Sequence, residues 1–284
     1  MQTIKTWLPA LTGMCCMAFG SGVMSIYGFF VEPLSQEFGV GAAVLNTGPV
    51  ALLLVPAFLG ALIGKMADRL PARNILLAGT SLSMAALIAI GMAPSLLWIA
   101  VGFLFFSLGM SMYGPVVVNG MLVKLYPGRE ARALALGAIG ISVAAMVLPP
   151  LIGSLLAYLN WRQALQLLAA VLLVILWAMI LAGTPRAVVE TTSSSGEPAD
   201  RAFYRTSAFW LIGISVALGL NVMIVLSIIF PPFFLGREYS VADAGWFLAL
   251  SGFAGLIGKS CLAWQGDAVR NAVKWLAAGL LLMQ

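Results

Sequence analysis

The chain contains no histidine, and Asp, Glu, Lys and Arg together make up only 9% of its 284 residues. A water-soluble domain usually carries about 25% of those four types. Without histidine the chain lacks the side chain most often used as a proton shuttle and as a metal ligand. Its three cysteines do not replace it. Cys15 and Cys16 are neighbours in one apolar run and Cys261 lies near the end of another, with no carboxylate cluster beside them. They read as small apolar fillers, and no metal site is expected. An enzyme working inside a membrane is also disfavoured, because no apolar run holds a carboxylate pair or a serine with a base nearby. The sequence calls for no cofactor.

What the chain does have is apolar surface: 62% of its residues are hydrophobic, and its mean hydropathy is +1.03. A soluble fold of this size has no interior large enough to hide that. The apolar residues fall in runs of about twenty, and about 20 residues of helix cross a hydrocarbon core about 30 Å thick. The ten-residue alternation of a transmembrane β-barrel is absent. The expected fold is an all-α, multi-pass membrane protein whose first partner is the lipid bilayer. Spans are predicted at Trp7–Val31, Val44–Gly64, Asn74–Ala93, Ser95–Leu122, Ala133–Leu156, Trp161–Gly183, Ala208–Pro231 and Gly245–Cys261. The first is read as a span and not as a removed signal peptide, since no small-residue cleavage site and polar mature segment follow it. A ninth apolar stretch begins near Val273 and reaches Gln284, too short to cross, so the chain is expected to be cut off inside a helix.

The stretch GKMADRLPARN, Gly64 to Asn74, crowds Lys65, Asp68, Arg69 and Arg73 between two apolar runs. A charged residue at a helix centre costs about 2.5 to 3.5 kcal/mol on an insertion scale. Four together belong in water or among headgroups, so a tight loop over Lys65–Arg73 is predicted, with Pro71 in its turn. Numbering the loops alternately from the N-terminus puts thirteen Lys and Arg on one side and only Arg162 and Arg237 on the other. By the positive-inside rule the N-terminus and this loop are expected in the cytoplasm, in a cell (inner) membrane. The formal charge of +5 follows from that bias and requires no nucleic-acid partner.

The one extended polar segment, GTPRAVVETTSSSGEPADRAFYRTS, follows span six. It divides the chain into a six-helix half (1–183), a cytoplasmic linker (184–207) and an incomplete second half (208–284). FLGALIGK, ending at Lys65, and FAGLIGK, ending at Lys259, echo each other near the ends of spans two and eight. Repeated halves that rock about a midplane site are a common architecture of secondary transporters.

At this point the residues resemble a known family. GKMADRLPAR is similar to the loop signature of the major facilitator superfamily: Gly64, Asp68, Arg69 and Arg73 match, while Pro71 and Ala72 stand where Gly and Arg are usual. KLYPGREARALALGAIG, Lys124 to Gly140, resembles the family's fourth loop. PPLIGSLLAYLNWRQAL and SAFWLIGISVALG look like the bacterial branch related to monocarboxylate and oxalate/formate carriers. The resemblance implies a helical bundle that moves a small solute, with an open place for a coupled ion, by alternating access. It implies a gate in which the equivalent of Asp68 reaches the eleventh helix and nearby arginines, with Arg129 or Arg132 as partners within the chain. It implies a cavity lined by helices one, four, seven and ten, where Tyr27, Tyr113, Asn119 and Asn221 are the candidates. Carriers of the monocarboxylate type place a Lys in helix one and charges in helix eight. Here the helix interiors read as free of charge, so a small organic anion is only the favoured solute. A non-transporting receptor or assembly partner on the same fold and an exporter of amphiphilic compounds stay open, as does oligomeric state.

Overall fold

The computed structural model describes residues 2–186, 206–237 and 239–265, and Asn221, Ser227 and Cys261 are among the residues in these ranges whose side chains lie outside the description. All the regular structure in these residues is helical: α1 (Gln2–Ile26), α2 (Gly28–Phe38), α3 (Ala42–Leu45), α4 (Gly48–Arg69), α5 (Ala72–Gly91), α6 (Leu96–Tyr113), α7 (Pro115–Leu125), α8 (Glu130–Leu156), α9 (Trp161–Gly183), α10 (Ser207–Leu235) and α11 (Val241–Gln265). Among the described residues, seven helical segments are long and apolar enough to cross a membrane. The expected span over Ala208–Pro231 is continuous helix within α10. Most of the expected linker and all of the ninth apolar stretch lie outside the described residues.

Two expected features come out differently. The stretch expected as a loop is mostly helix. α4 has 22 residues and runs through Lys65 and Asp68 to Arg69, about 33 Å at 1.5 Å per residue. That length outreaches the hydrocarbon core, so its charged last turns stay helical while standing among headgroups. Only Leu70 and Pro71 connect it to α5. Leu70 is extended (φ −111°, ψ 151°), as a residue preceding proline must be. Arg73 then sits in the first turn of α5. The fourth expected span, in turn, is two helices. At Gly114 the backbone is extended (φ −81°, ψ −169°), and Pro115 starts α7. Proline has no N–H to continue α6 and its ring disfavours helical geometry at Gly114.

The helices pack through small residues. α8 lies against α1 on one side and α11 on the other, α5 lies between α6 and α9, and α4 rests on α6. Where α8 meets α1, a β-carbon on Gly140 would collide with the carbonyl of Met14. Between α5 and α6, one on Gly79 would stand 2.7 Å from the carbonyl oxygen of Gly109. Backbones approach this closely only without side chains, and such contacts drive association where lipid is as apolar as the helices. α4 keeps an outer face, with Phe58 79% exposed.

The two ends of the bundle differ. One, the basic end, carries Lys65, Asp68, Arg69, Arg73 and Lys124. At the opposite end Glu37 of α2 ties three helices together. Its carboxylate accepts from Trp161 Nε1 (2.6 Å) and from Arg162 at the start of α9, while Arg162 also donates to the carbonyl of Gly91 (3.2 Å) at the end of α5. Asn160 caps α9 by accepting from the Gln163 amide.

Candidate solute cavity and gate

A cavity of about 310 Å³ opens near the middle of the bundle, between α1, α4, the α6–α7 break and α8. Met17 and Met24 of α1, Leu52 and Pro56 of α4, Met110 of α6 and Ile141 of α8 form much of its wall. Three serines also line it, and all three hydroxyl protons are committed to backbone of the same helix. Ser21 donates to the Met17 carbonyl (2.8 Å), Ser25 to Gly22 (2.7 Å) and Ser111 to Ser107 (2.8 Å). Such back-bonding lets a hydroxyl rest in an apolar wall without an unpaired proton.

The break in span four puts the start of a helix on the cavity wall. Gly114, Pro115 and Val116 are on its wall, so the N-terminal end of α7 opens there. Gly114 provides no side-chain cap. The first amides of a helix lack intrahelical partners and carry partial positive charge, which favours an anion.

A full cation is held on α8 by a residue that neighbours this wall in sequence. The sequence places Lys259 with the loop cations of the basic end. The structure places it inside α11, which continues to Gln265. Gly252 lies against the backbone of Ala145 and Met146, and Gly255 lies against Ser142. These close approaches bring α11 near enough for the Lys259 ammonium to donate to the hydroxyl oxygen of buried Ser142 (2.9 Å). Ser142 adjoins Ile141 and is one turn from Ala145, both on the cavity wall. The expectation that the helix interiors hold no charge is therefore corrected here: a flexible four-carbon stem carries the charge inward from a backbone near the helix end.

The four cavity candidates are not brought together. Tyr27 is buried at the junction of α1 and α2, where its hydroxyl donates to the carbonyl of Leu45 and its ring meets Phe103 edge-on. It fastens α3 and is not on the cavity wall. Tyr113 is fully buried behind that wall, its ring 3.5 Å from where a β-carbon on Gly20 would stand, and its hydroxyl beside Ser83 without a hydrogen bond of good geometry. Asn119 follows Pro115 by four residues and Val116 by three, so it stands one turn below the wall on the same face of α7, half-exposed. Asn221 lies outside the residues whose side chains are described.

The residues expected to form the gate lie at the basic end. Asp68 of α4 accepts from Lys124 Nζ of α7 at 3.1 Å. The pair flanks a cleft of about 150 Å³ that Gly64, Gly120 and Pro185 also line. Arg69 ends α4, Arg73 begins α5, Arg129 occupies the N-cap position of α8 and Arg132 its first turn. The carboxylate of Glu130 accepts from the Gly128 amide (2.7 Å) and closes the turn into α8. The Asp68 side chain is 73% exposed, and an exposed ion pair contributes about 0 to 1 kcal/mol.

A family model for the Major Facilitator Superfamily matches residues 11–283. The chain belongs to the major facilitator superfamily. Monocarboxylate transporter 13 of Rattus norvegicus is 24% identical over 281 residues, covering 94% of this chain and 62% of that protein. Among solved structures, a bacterial homologue of the human lysosomal transporter Spinster, inward-facing and unoccupied, superposes with a TM-score of 0.68 at 16% identity, covering 94% of this chain and 63% of that one. The peptide transporter POT bound to alafosfalin superposes with a TM-score of 0.57 at 15% identity, covering 94% and 68%. At these identities the structural likeness shows the fold. The chain spans less than two thirds of the length of the Rattus relative and of the Spinster homologue.

In this superfamily member the signature residues were legible because a charged run between apolar runs has one physical meaning. Lys124 as the partner of Asp68, the inward reach of Lys259 and the methionines of the cavity were not. The only signals for them were a cation at the same end as Asp68, a lysine shortly before the end of an apolar run, and methionines spaced Met17, Met24 on one helix.

Proposed function

We propose that the protein is a secondary transporter that carries a small organic anion of the monocarboxylate kind across the cell membrane by alternating access, with the cavity as its solute site. The observation that carries the anion is Lys259, whose ammonium is held on Ser142 beside the cavity wall. The open N-terminal end of α7 supports the same sign of charge. Half-helix ends aimed at a midplane site are a recurrent device for anionic solutes. The Rattus relative's name, Monocarboxylate transporter 13, points to the same solute class. In this reading the Asp68–Lys124 pair belongs to one conformation and opens in the other, and so biases the equilibrium between them. The basic end faces the cytoplasm.

The test is uptake of labelled monocarboxylates into proteoliposomes, comparing wild type with Lys259→Gln and Lys259→Arg. Saturable uptake that Lys259→Gln reduces at least tenfold and Lys259→Arg largely keeps is expected. Uptake indifferent to both changes removes the anion reading.

A further inference from the structure

The cavity wall shows what the rest of the solute looks like. We propose that the transported anion carries a bulky apolar body of about six to ten carbons that fills the cavity, and that short polar acids are poor ligands. This rests on the reading of the cavity as the solute site and goes on to define the class of solute.

Three observations converge. The first is chemical. No charged residue lines the cavity among the described residues, and its hydroxyl protons are committed to Met17, Gly22 and Ser107. A sugar or a hydroxy acid would bury its own hydroxyls against Leu52, Pro56 and the methionines with little to pair them. A buried polar group without a hydrogen bond is strongly disfavoured. The second is electrical. No cation lines the cavity itself, and Lys259, held on Ser142 beside the wall residue Ile141, is the one cation in the described residues of α11. A dianion would leave its second carboxylate desolvated and unpaired. The third is size. About 310 Å³ is the volume of about ten waters and the lower end of sites for drug-sized ligands. A three-carbon acid would leave most of it empty. Met17, Met24 and Met110, on two helices facing one another, give a wall that repacks around apolar bodies of different shape.

The test uses the 284-residue protein in lipid nanodiscs. The ligands are acetate, butanoate, hexanoate and 3-phenylpropanoate, with 3-phenylpropanamide as the neutral counterpart. Affinity is expected to rise about fourfold per methylene that enters the cavity. Gly60→Phe separates binding from partition into lipid. Gly60 is on the wall and a β-carbon there meets nothing within 4 Å, so a ring at this edge of the cavity is accommodated without straining the backbone. The variant should weaken 3-phenylpropanoate at least tenfold. A second readout needs no variant: 3-phenylpropanoate should protect Met24 from peroxide oxidation and leave Met92, which is 70% exposed, unprotected.

A flat chain-length series, or no protection of Met24, overturns the proposal. The anion reading fails separately, if acid and amide bind alike and Lys259→Gln changes neither while the series stays steep and Met24 stays protected. If none of the five compounds binds, both readings fall.

Discussion

Glu37 shows what a single exposed carboxylate does when three groups converge on it. The hydrogen bond from Arg162 is the main cause of its pKa lying below the ordinary value. The indole of Trp161 adds to this, burial opposes it, and the charge of Arg162 assists. A carboxyl held lower in the folded than in the unfolded protein stabilises fully above the unfolded value, about 4.3. That contribution is lost as pH falls through the folded value below it. Thermal unfolding in detergent should therefore shift downward below about pH 4.3 in wild type, and Glu37→Gln should remove that part of the pH dependence. Its cost at pH 7 should be about 1 kcal/mol or less, since the Glu37 side chain is 40% exposed and solvent screens such pairs. An unaltered pH profile in Glu37→Gln would discount the clasp. Tyr113 is the opposite case, a buried hydroxyl with no well-formed bond. Tyr113→Phe should leave stability unchanged or raise it by up to about 1 kcal/mol, and a loss of 2 kcal/mol in unfolding assays would mean that the hydroxyl is paired.

Elements differ in how much movement their contacts allow. α8 and α11 are locked by backbone approach. A β-carbon on Gly252 would stand 2.5 Å from the amide nitrogen of Met146 and 2.7 Å from the carbonyl carbon of Ala145. Neither atom can swing aside, so Gly252→Leu should destabilise by about 1 to 3 kcal/mol and move Lys259 away from Ser142. The measurements are thermal unfolding and disulfide cross-linking between cysteines introduced on the two helices. α4 and α7 are joined at their basic ends by a single exposed ion pair. Asp68→Asn should change stability by less than about 1 kcal/mol and yet alter transport and the accessibility of cavity cysteines to an impermeant reagent. The charge-swapped pair Asp68→Lys with Lys124→Asp should restore both. Unchanged transport and accessibility in Asp68→Asn would reduce the loop to a topological anchor.

For the whole molecule, the two ends of the bundle have to face different compartments. The structure gathers Lys65, Asp68, Arg69, Arg73 and Lys124 at one end and Glu37 and Arg162 at the other. Reporter fusions after Arg69 and within Ser193–Ser195 should report cytoplasm, and fusions after Glu37 and Tyr239 the other side. An outside signal at Ser194 would break the division into a six-helix half, a linker and the start of a second half.

Fold and site were not equally legible. Membrane class, helix positions, the orientation expected from the basic residues and the superfamily signature follow from the sequence by itself. Each depends on local composition: a run of about 20 apolar residues is a span in almost any context, and four charges between two such runs have to leave the lipid. Even the break in span four is local, because Gly114 and Pro115 impose it. Which residues face the cavity is another matter. A helix apolar on every side gives no periodic signal for its inner face, so the sequence marks out Tyr27 and Tyr113, the conspicuous polar aromatics, and leaves the wall residues Met17, Met24, Leu52 and Pro56 unmarked. The reach of Lys259 to Ser142 depends on how closely Gly252 and Gly255 let α11 approach α8. The pairing of Asp68 with Lys124 depends on α4 and α7 ending side by side. Both join residues more than fifty positions apart in the chain, and only the packing of helices decides whether two such side chains meet.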